Sequence, residues 1–163
     1  MEKLRASGKG KIMKIISVVG KSGSGKTTLI TKLVKYLKRK KCKVAVIKHC
    51  HQGFDIKGKD SWRMINAGAD MVSVVSEERY GIFYNTKIRS INEIVNHFKG
   101  IDIVIIEGFK KKKDIPSIFI SDKGIKAING SISFNISKNY GLNDILNLLF
   151  KLGIKIACIR QRS

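Results

Sequence analysis

The sequence is poor in several residue types, and each shortage excludes something. Proline occurs once, at Pro116, so no Pro-rich linker divides the 163 residues. Cysteine occurs three times, at Cys42, Cys50 and Cys158. An odd count without close pairing argues against a disulfide framework and for a reducing compartment. No CxxC pair is present, so a structural zinc ribbon is not expected. No apolar run approaches the ~20 residues of a membrane span. The opening MEKLRASGKGK has charge but no apolar centre like that of a secretory signal, which leads to the expectation of a cytoplasmic protein without a membrane partner. Acid is the scarcest class for its importance: Asp and Glu total 12 against 33 Lys and Arg, a net charge of +21. Such an excess calls for an anionic partner, whether nucleic acid, anionic lipid or a phosphate-bearing small molecule.

What remains is a globular composition, 43% apolar, in a chain long enough to remove roughly two thirds of its unfolded surface from water. The charge is uneven. Residues 1–43 hold fourteen Lys and Arg and one acid, Glu2. Of the basic residues, 26 are Lys and seven are Arg. Lys is a flexible point charge, whereas Arg reads bases through a planar fork, so the excess suits phosphate attraction better than sequence-specific recognition. Aromatic residues fall mainly in core-like segments and offer no stacking platform, so no specific nucleic-acid partner is expected.

The pattern along the chain predicts one nucleotide-binding domain over residues 11–152. A flexible basic leader (1–10) precedes it, and a C-terminal strand or tail (153–163) follows. Lys11–Val19 is apolar and β-branched and stops at Gly20, a buried strand. Thr27–Lys40 repeats apolar residues at helical spacing with lysines opposite. Strands are predicted at Lys43–Lys48, Asp70–Val75, Arg79–Tyr84, Asp102–Ile106, Ser117–Ser121 and Ile125–Asn129. Helices are predicted at Ser61–Ala67 and Asn143–Leu152, and from the capping box Ser90-Ile91-Asn92-Glu93 to Lys99. This alternation implies an α/β fold with a mostly parallel central sheet.

Gly20-Lys21-Ser22-Gly23-Ser24-Gly25-Lys26-Thr27 matches G-x-x-x-x-G-K-[ST] in full, between a predicted strand and a predicted helix. Glycines let the backbone curl so that successive N–H groups face one point, and the helix N-terminus adds positive potential. Lys26 would reach the β and γ phosphates, and the Thr27 hydroxyl would hold Mg²⁺. Thr28 completes the nucleotide-binding stretch. Asp102–Ile106 followed by Glu107-Gly108 is an apolar strand ending in a carboxylate, placed where open α/β sheets bind ligands; Glu107 would align metal waters or an attacking water. The loop from His49 to Asp60 leaves the next strand on the same edge. Asp60 is a candidate catalytic carboxylate there, and Lys48 and Lys59 are candidates for phosphate contact. His49, Cys50 and His51 are adjacent in sequence and lack a spaced fourth ligand, so they do not read as a metal site.

Taken together, GKSGSGKTTLITKL, VIKHCHQGFDIKGKDSWRMINAGAD and DIVIIEGFK resemble the molybdopterin-guanine dinucleotide biosynthesis adapter family, MobB, over about residues 11–121. The specific elements are Ile47–His49, Gly58–Arg63 and Glu107–Lys110. The resemblance implies a three-layer P-loop fold of the MinD and signal-recognition class, GTP binding with weak Mg²⁺-dependent hydrolysis, and a homodimer. It also implies a role beside the guanylyltransferase that attaches GMP to molybdopterin. By position it carries Gly20–Thr28 over as nucleotide-binding, Thr27 and Glu107 as the metal environment, and His49, Lys59, Asp60 and Arg63 as pocket-edge residues; Lys48 and Lys110 join that edge. The sequence departs from the family in having Ile56-Lys57 where a proline usually precedes Gly58, and Cys at position 50. No N-K-x-D motif reads guanine, so GTP over ATP follows from the resemblance alone.

Lys21 occupies the place of a second loop lysine that in some P-loop proteins reaches a partner's nucleotide; the alternative is a solvent-exposed loop lysine. Two rival functions share some of these features. A small-molecule kinase would use the same loop and sheet, but such kinases cover the phosphoryl group with a lid bearing paired arginines, and here the arginines are scattered. A basic nucleic-acid-binding module would account for the charge but not for the loop.

Overall fold

The structure is a computed structural model, which describes residues 13–50, 57–88, 90–108, 115–136 and 139–154. The leader, His51, Lys110 and the predicted strand or tail from Lys155 onward lie outside the described residues. The chain divides into two compact units, Met1–His49 with Val95–Ser163, and Cys50–Ile94.

The first unit is built on β1 (Lys14–Gly20), β2 (Val44–Lys48), β5 (Ile103–Glu107), β6 (Ser117–Ser121), β7 (Gly124–Asn129) and β8 (Ile132–Ile136). These form one sheet in the order β2-β5-β1-β6-β7-β8. β1 runs parallel to β5 and β6, β2 runs parallel to β5, and β7 and β8 add antiparallel at the far edge. Ile103, Val104, Ile105 and Ile106 are each 0% exposed, which is why β5 is apolar without alternation: a parallel strand enclosed on both faces has no solvent side.

The helix α1 (Lys26–Arg39) lays Leu29, Ile30, Leu33 and Leu37 against one sheet face. Ile16 and Val18 of β1, Ile103 and Ile105 of β5, and Ile118 and Ile120 of β6 share that core. The helix α4 (Leu142–Lys151) adds Ile145, Leu148 and Leu149 to the same layer. Its start is fixed by Asp144, whose Oδ2 accepts the Gly141 N–H at 2.7 Å, placing a carboxylate where the helix dipole favours it. At the other end of the sheet, buried Asp102 joins the starts of β2 and β5. Its Oδ2 accepts the Lys43 N–H at 2.7 Å, and its own N–H donates to the Lys43 carbonyl at 2.8 Å.

The second unit contains α2 (Asp60–Asn66), a two-stranded antiparallel sheet of β3 (Met71–Val75) and β4 (Tyr80–Tyr84), and most of α3 (Ile91–Val95), which returns the chain to the first unit. Register runs from Met71 opposite Tyr84 to Val75 opposite Tyr80, and the Ser76–Arg79 turn is closed by the Ser76 N–H on the Arg79 carbonyl at 2.9 Å. Asn85 ties the hairpin base to α2: its Nδ2 donates to the Ile65 carbonyl at 3.2 Å.

Most predicted elements are present within a residue or two. Three differ. The helix after Ser90 ends at Val95, not Lys99. Ser90 Oγ does accept the Asn92 N–H at 3.3 Å, but beyond Val95 the bonds tighten, with Phe98 N–H on the Val95 carbonyl at 2.9 Å. Asn96 and His97 are weak helix formers and do not sustain the run. Strand β8 has no counterpart among the predicted strands. Its signal was present: Ile132, Phe134 and Ile136 alternate with polar residues, and Gly130-Ser131 precedes them, a two-residue hairpin loop between paired Asn129 and Ile132, with Gly130 at φ 58°. Finally, Cys42 is fully buried and disulfide-bonded, against the expectation of no disulfide, while Cys50 is free and exposed. Among the described residues no helix is long and apolar enough to cross a membrane.

Candidate phosphate-binding site

The loop from Gly20 to Thr27 links the C-terminal end of β1 to α1. Three glycines shape it for two different reasons. Gly23 and Gly25 adopt φ 74° and 87°, the left-handed region that L side chains occupy only with strain. Gly20 is needed for space: a Cβ there would lie 2.5 Å from Ser24 Oγ and 2.7 Å from the Ile120 carbonyl oxygen of β6. The loop therefore folds back over Gly20, pressed against the neighbouring strand. Ser24 Oγ is buried in that fold without a hydrogen-bond partner.

The helix start is left electropositive. Gly25 is the N-cap and supplies no side-chain bond, and the first turn contains no acid. The Gly25 carbonyl accepts the Leu29 N–H at 2.9 Å, so the N–H groups of Lys26, Thr27 and Thr28 precede the first intrahelical bond and are available to an anion. Lys26 arches across the loop, its Nζ donating to the Lys21 carbonyl at 2.6 Å. That carbonyl also accepts the Ser24 N–H at 3.3 Å. Lys21 and Ser22 are exposed at the loop's outer side.

Glu107 ends β5, the strand next to β1. The Thr27 hydroxyl donates to Glu107 Oε1 at 3.4 Å across 80 residues of sequence. Lys48, at the end of β2, is the register partner of Glu107, and the His49 N–H donates to the Glu107 carbonyl at 3.1 Å. Gly108 follows at φ 102°, and its N–H donates to the Val18 carbonyl at 3.1 Å, turning the chain off the sheet beside the loop. The structure thus brings together Gly20–Thr28, Lys48, His49 and Glu107 at the carboxyl edge of the parallel strands, where the chain leaves β1 between two neighbours. Lys59, Asp60 and Arg63 belong to the second unit, as the N-cap, first and fourth residues of α2.

A hydroxyl and a carboxylate in contact form the hard-oxygen donor set that suits Mg²⁺, which is held by one or two protein oxygens alongside phosphate and water. Among the described residues no group of three or more His, Cys, Asp or Glu side chains could hold a metal ion.

The family model described as "MobB: Molybdopterin guanine dinucleotide synthesis protein B" matches residues 15–132. The chain belongs to the MobB family. A molybdopterin-guanine dinucleotide biosynthesis adapter protein of Haemophilus influenzae is 40% identical over 111 residues, 65% of this chain and 62% of that protein. A putative adapter of the same description from Methanocaldococcus jannaschii is 34% identical over 152 residues, 87% of this chain and 63% of the relative. The chain therefore spans somewhat less than two thirds of the length of these MobB relatives. A crystal structure of Bacillus subtilis MobB superposes with a TM-score of 0.62 at 23% identity, covering 86% of this chain and 98% of that one. This agrees with the MobB fold of a mostly parallel sheet flanked by helices. The contact of Gly20 with Ile120 had no sequence signal, because nothing local says which strand lies beside β1.

Proposed function

We propose that the protein binds Mg²⁺–GTP on Gly20–Thr28 and acts as an accessory protein in the conversion of molybdopterin to molybdopterin guanine dinucleotide, beside the guanylyltransferase. The observation that carries this reading is the contact of Thr27 with Glu107 at an acid-free helix N-terminus. It combines an anion cradle with a two-oxygen metal environment, as Mg²⁺–triphosphate requires. Lys26 would neutralise the β and γ oxygens, and Thr27 and Glu107 would hold the Mg²⁺, which when bound would supply further charge neutralisation at the phosphates. Hydrolysis is slow in this account, since among the described residues of the first unit the cations beside the loop are lysines. The choice of GTP, of the transferase and of molybdopterin rests on the family and its named relatives.

The protein works as a homodimer in this reading. The support is the β3–β4 hairpin. Two strands alone are marginal in water, yet Val75 is 74% and Tyr80 72% exposed near its turn, so a second copy covering them is favourable. The test is a pull-down of the guanylyltransferase by the protein with and without GTP and molybdopterin. Capture that strengthens with GTP supports the role; capture indifferent to nucleotide, together with phosphoryl transfer from ATP to a metabolite, points to a kinase.

A further inference from the structure

The outer side of α1 and the connection to β2 carry a charge that the phosphate loop does not use. Lys32, Lys35, Lys38 and Arg39 of α1, then Lys40, Lys41 and Lys43, are all exposed. Among the described residues none of these cations pairs with a carboxylate. The acid that touches the turn, Asp102, is buried and accepts the Lys43 N–H from inside. The helix is 14 residues long, so its last turn lies about 20 Å from the phosphate loop.

One residue marks this charge as placed. Helices α1, α2 and α4 end in the same pair of backbone bonds. In α2 the Gly68 N–H donates to the Ile65 carbonyl and the Ala69 N–H to the Met64 carbonyl; in α4 Gly153 and Ile154 donate likewise to Phe150 and Leu149. In α1 the Lys41 N–H donates to the Lys38 carbonyl at 2.9 Å and the Cys42 N–H to the Leu37 carbonyl at 3.0 Å. The motif needs a left-handed residue, which Gly68 and Gly153 supply at φ 107° and 73°. Lys41 supplies it at φ 59°, the one non-glycine beside nine glycines at positive φ among the described residues. A lysine strains the backbone where glycine would not, and strain of this kind gathers where function holds it. Two neighbouring ammonium groups are held as well: Lys38 Nζ donates to the Cys42 carbonyl at 3.3 Å, and Lys40 Nζ lies 5.9 Å from the centre of the Tyr36 ring.

The kind of partner follows from the rest of this surface. No large apolar side chain from Lys26 to Ala45 is exposed, so it offers neither the apolar face of a membrane-surface helix nor the apolar centre of a protein interface. Lysines meet phosphate as point charges and do not read bases. The Tyr36 ring is half-buried and lies under Lys40, so it is no platform for unpaired bases. We propose that the corner between α1 and β2, Lys38 to Lys43, binds the phosphodiester backbone of a nucleic-acid duplex without regard to sequence. Its affinity comes from the counterions that the phosphates release. This activity is separate from the nucleotide site and does not depend on the guanylation reading.

The full chain is titrated into a short fluorescein-labelled duplex of arbitrary sequence, as DNA and as RNA, and anisotropy is read over a range of salt. The expected result is saturable binding with a Kd on the order of 1–100 μM at physiological salt, its logarithm linear in the logarithm of salt concentration. The tighter of DNA and RNA names the source. Lys41→Gly separates binding from folding: it relieves the backbone and should raise Tm by about 3 °C, yet weaken the duplex about fivefold and lower the salt slope by about 0.9. Lys38→Gln, Lys41→Gly and Lys43→Gln together should lower the slope by about 2.7, in a variant whose melting curve shows it folded. Lys87→Gln, Lys123→Gln and Lys126→Gln remove the same charge from exposed positions elsewhere and should leave the slope nearly unchanged. Absence of duplex binding overturns the proposal, as do affinity unchanged in Lys41→Gly and equal losses in the two triple variants. Competition by polyglutamate as strong as by unlabelled duplex would assign the surface to an acidic protein, and competition as strong by phosphatidylserine vesicles would assign it to a membrane. Displacement by excess Mg²⁺–GTP would put the duplex on the phosphate loop; each of these three results also overturns the proposal.

Discussion

Gly20→Ala is the substitution that separates the two uses of glycine in the phosphate loop. Gly20 needs no left-handed backbone, so a methyl group there costs nothing in φ/ψ and even restricts the unfolded chain, a gain of about 0.4–1 kcal/mol. Against that gain stand the 2.5 Å approach to Ser24 Oγ and the 2.7 Å approach to the Ile120 carbonyl. Ser24 can rotate or shift. The Ile120 oxygen cannot, because β6 is hydrogen-bonded between β1 and β7 with Gly20 in register with Ile120. Forcing atoms into packed backbone costs about 1–3 kcal/mol, so the net destabilisation centres on about 1.3 kcal/mol, accompanied by a loop displaced from its anion-binding shape. Gly25→Ala differs in kind: nothing lies within 4 Å of its Cβ, but φ is 87°, and the cost is the ~1–2 kcal/mol of left-handed backbone. Urea denaturation of Gly20→Ala, Ser24→Gly and the double variant is the assay. Removing the Ser24 side chain should recover part of the Gly20→Ala loss and leave the backbone part. Full recovery in the double variant, or no loss in the single, would refute the argument that β6 presses on the loop.

Other predictions follow from the same geometry. Asp102→Ala leaves the Lys43 N–H without its 2.7 Å acceptor and should cost about 1–3 kcal/mol in urea unfolding; a loss below a few tenths would show that the contact contributes little. Lys35→Glu on α1 replaces like-charge spacing to Lys32, Lys38 and Arg39 with attraction and should stabilise by about 1 kcal/mol at low salt. The gain should vanish in 1 M salt, where screening reaches about 3 Å. Glu107→Gln should leave metal-free GTP binding unchanged and reduce the Mg²⁺-dependent increment in affinity about tenfold by calorimetry; an intact increment would remove Glu107 from the metal environment.

The site was legible where its signals were local or lay at the end of a strand. Gly20–Thr27 is contiguous, and Glu107 was found because a wholly apolar strand stopped at a carboxylate. Their 3.4 Å contact through Thr27 could be inferred from topology but not measured from sequence. Strand β8 was legible in Gly130-Ser131 and the alternation after it, a period-2 signal in a short stretch that invites neglect. The end of α3 was less legible, since Ile91, Val95 and Phe98 keep helical spacing past the stop and only the weak helix propensity of Asn96 and His97 marks it. The charge that dominates the composition has a place only in part: no acid lies between Met13 and Cys50, and of the eleven basic residues in that span Lys21, Lys26 and Lys48 lie in the loop or at the end of β2, while Lys32, Lys35, Lys38 and Arg39 of α1 face solvent.

The central claim is that Lys26, the helix N-terminus and the Thr27–Glu107 pair form one site for Mg²⁺–nucleoside triphosphate. Calorimetric titration of GTP with Mg²⁺ into wild type and Lys26→Ala tests it most directly. The account predicts saturable one-site binding in the wild type and a loss of at least about tenfold in Lys26→Ala; equal affinity in the two would contradict it.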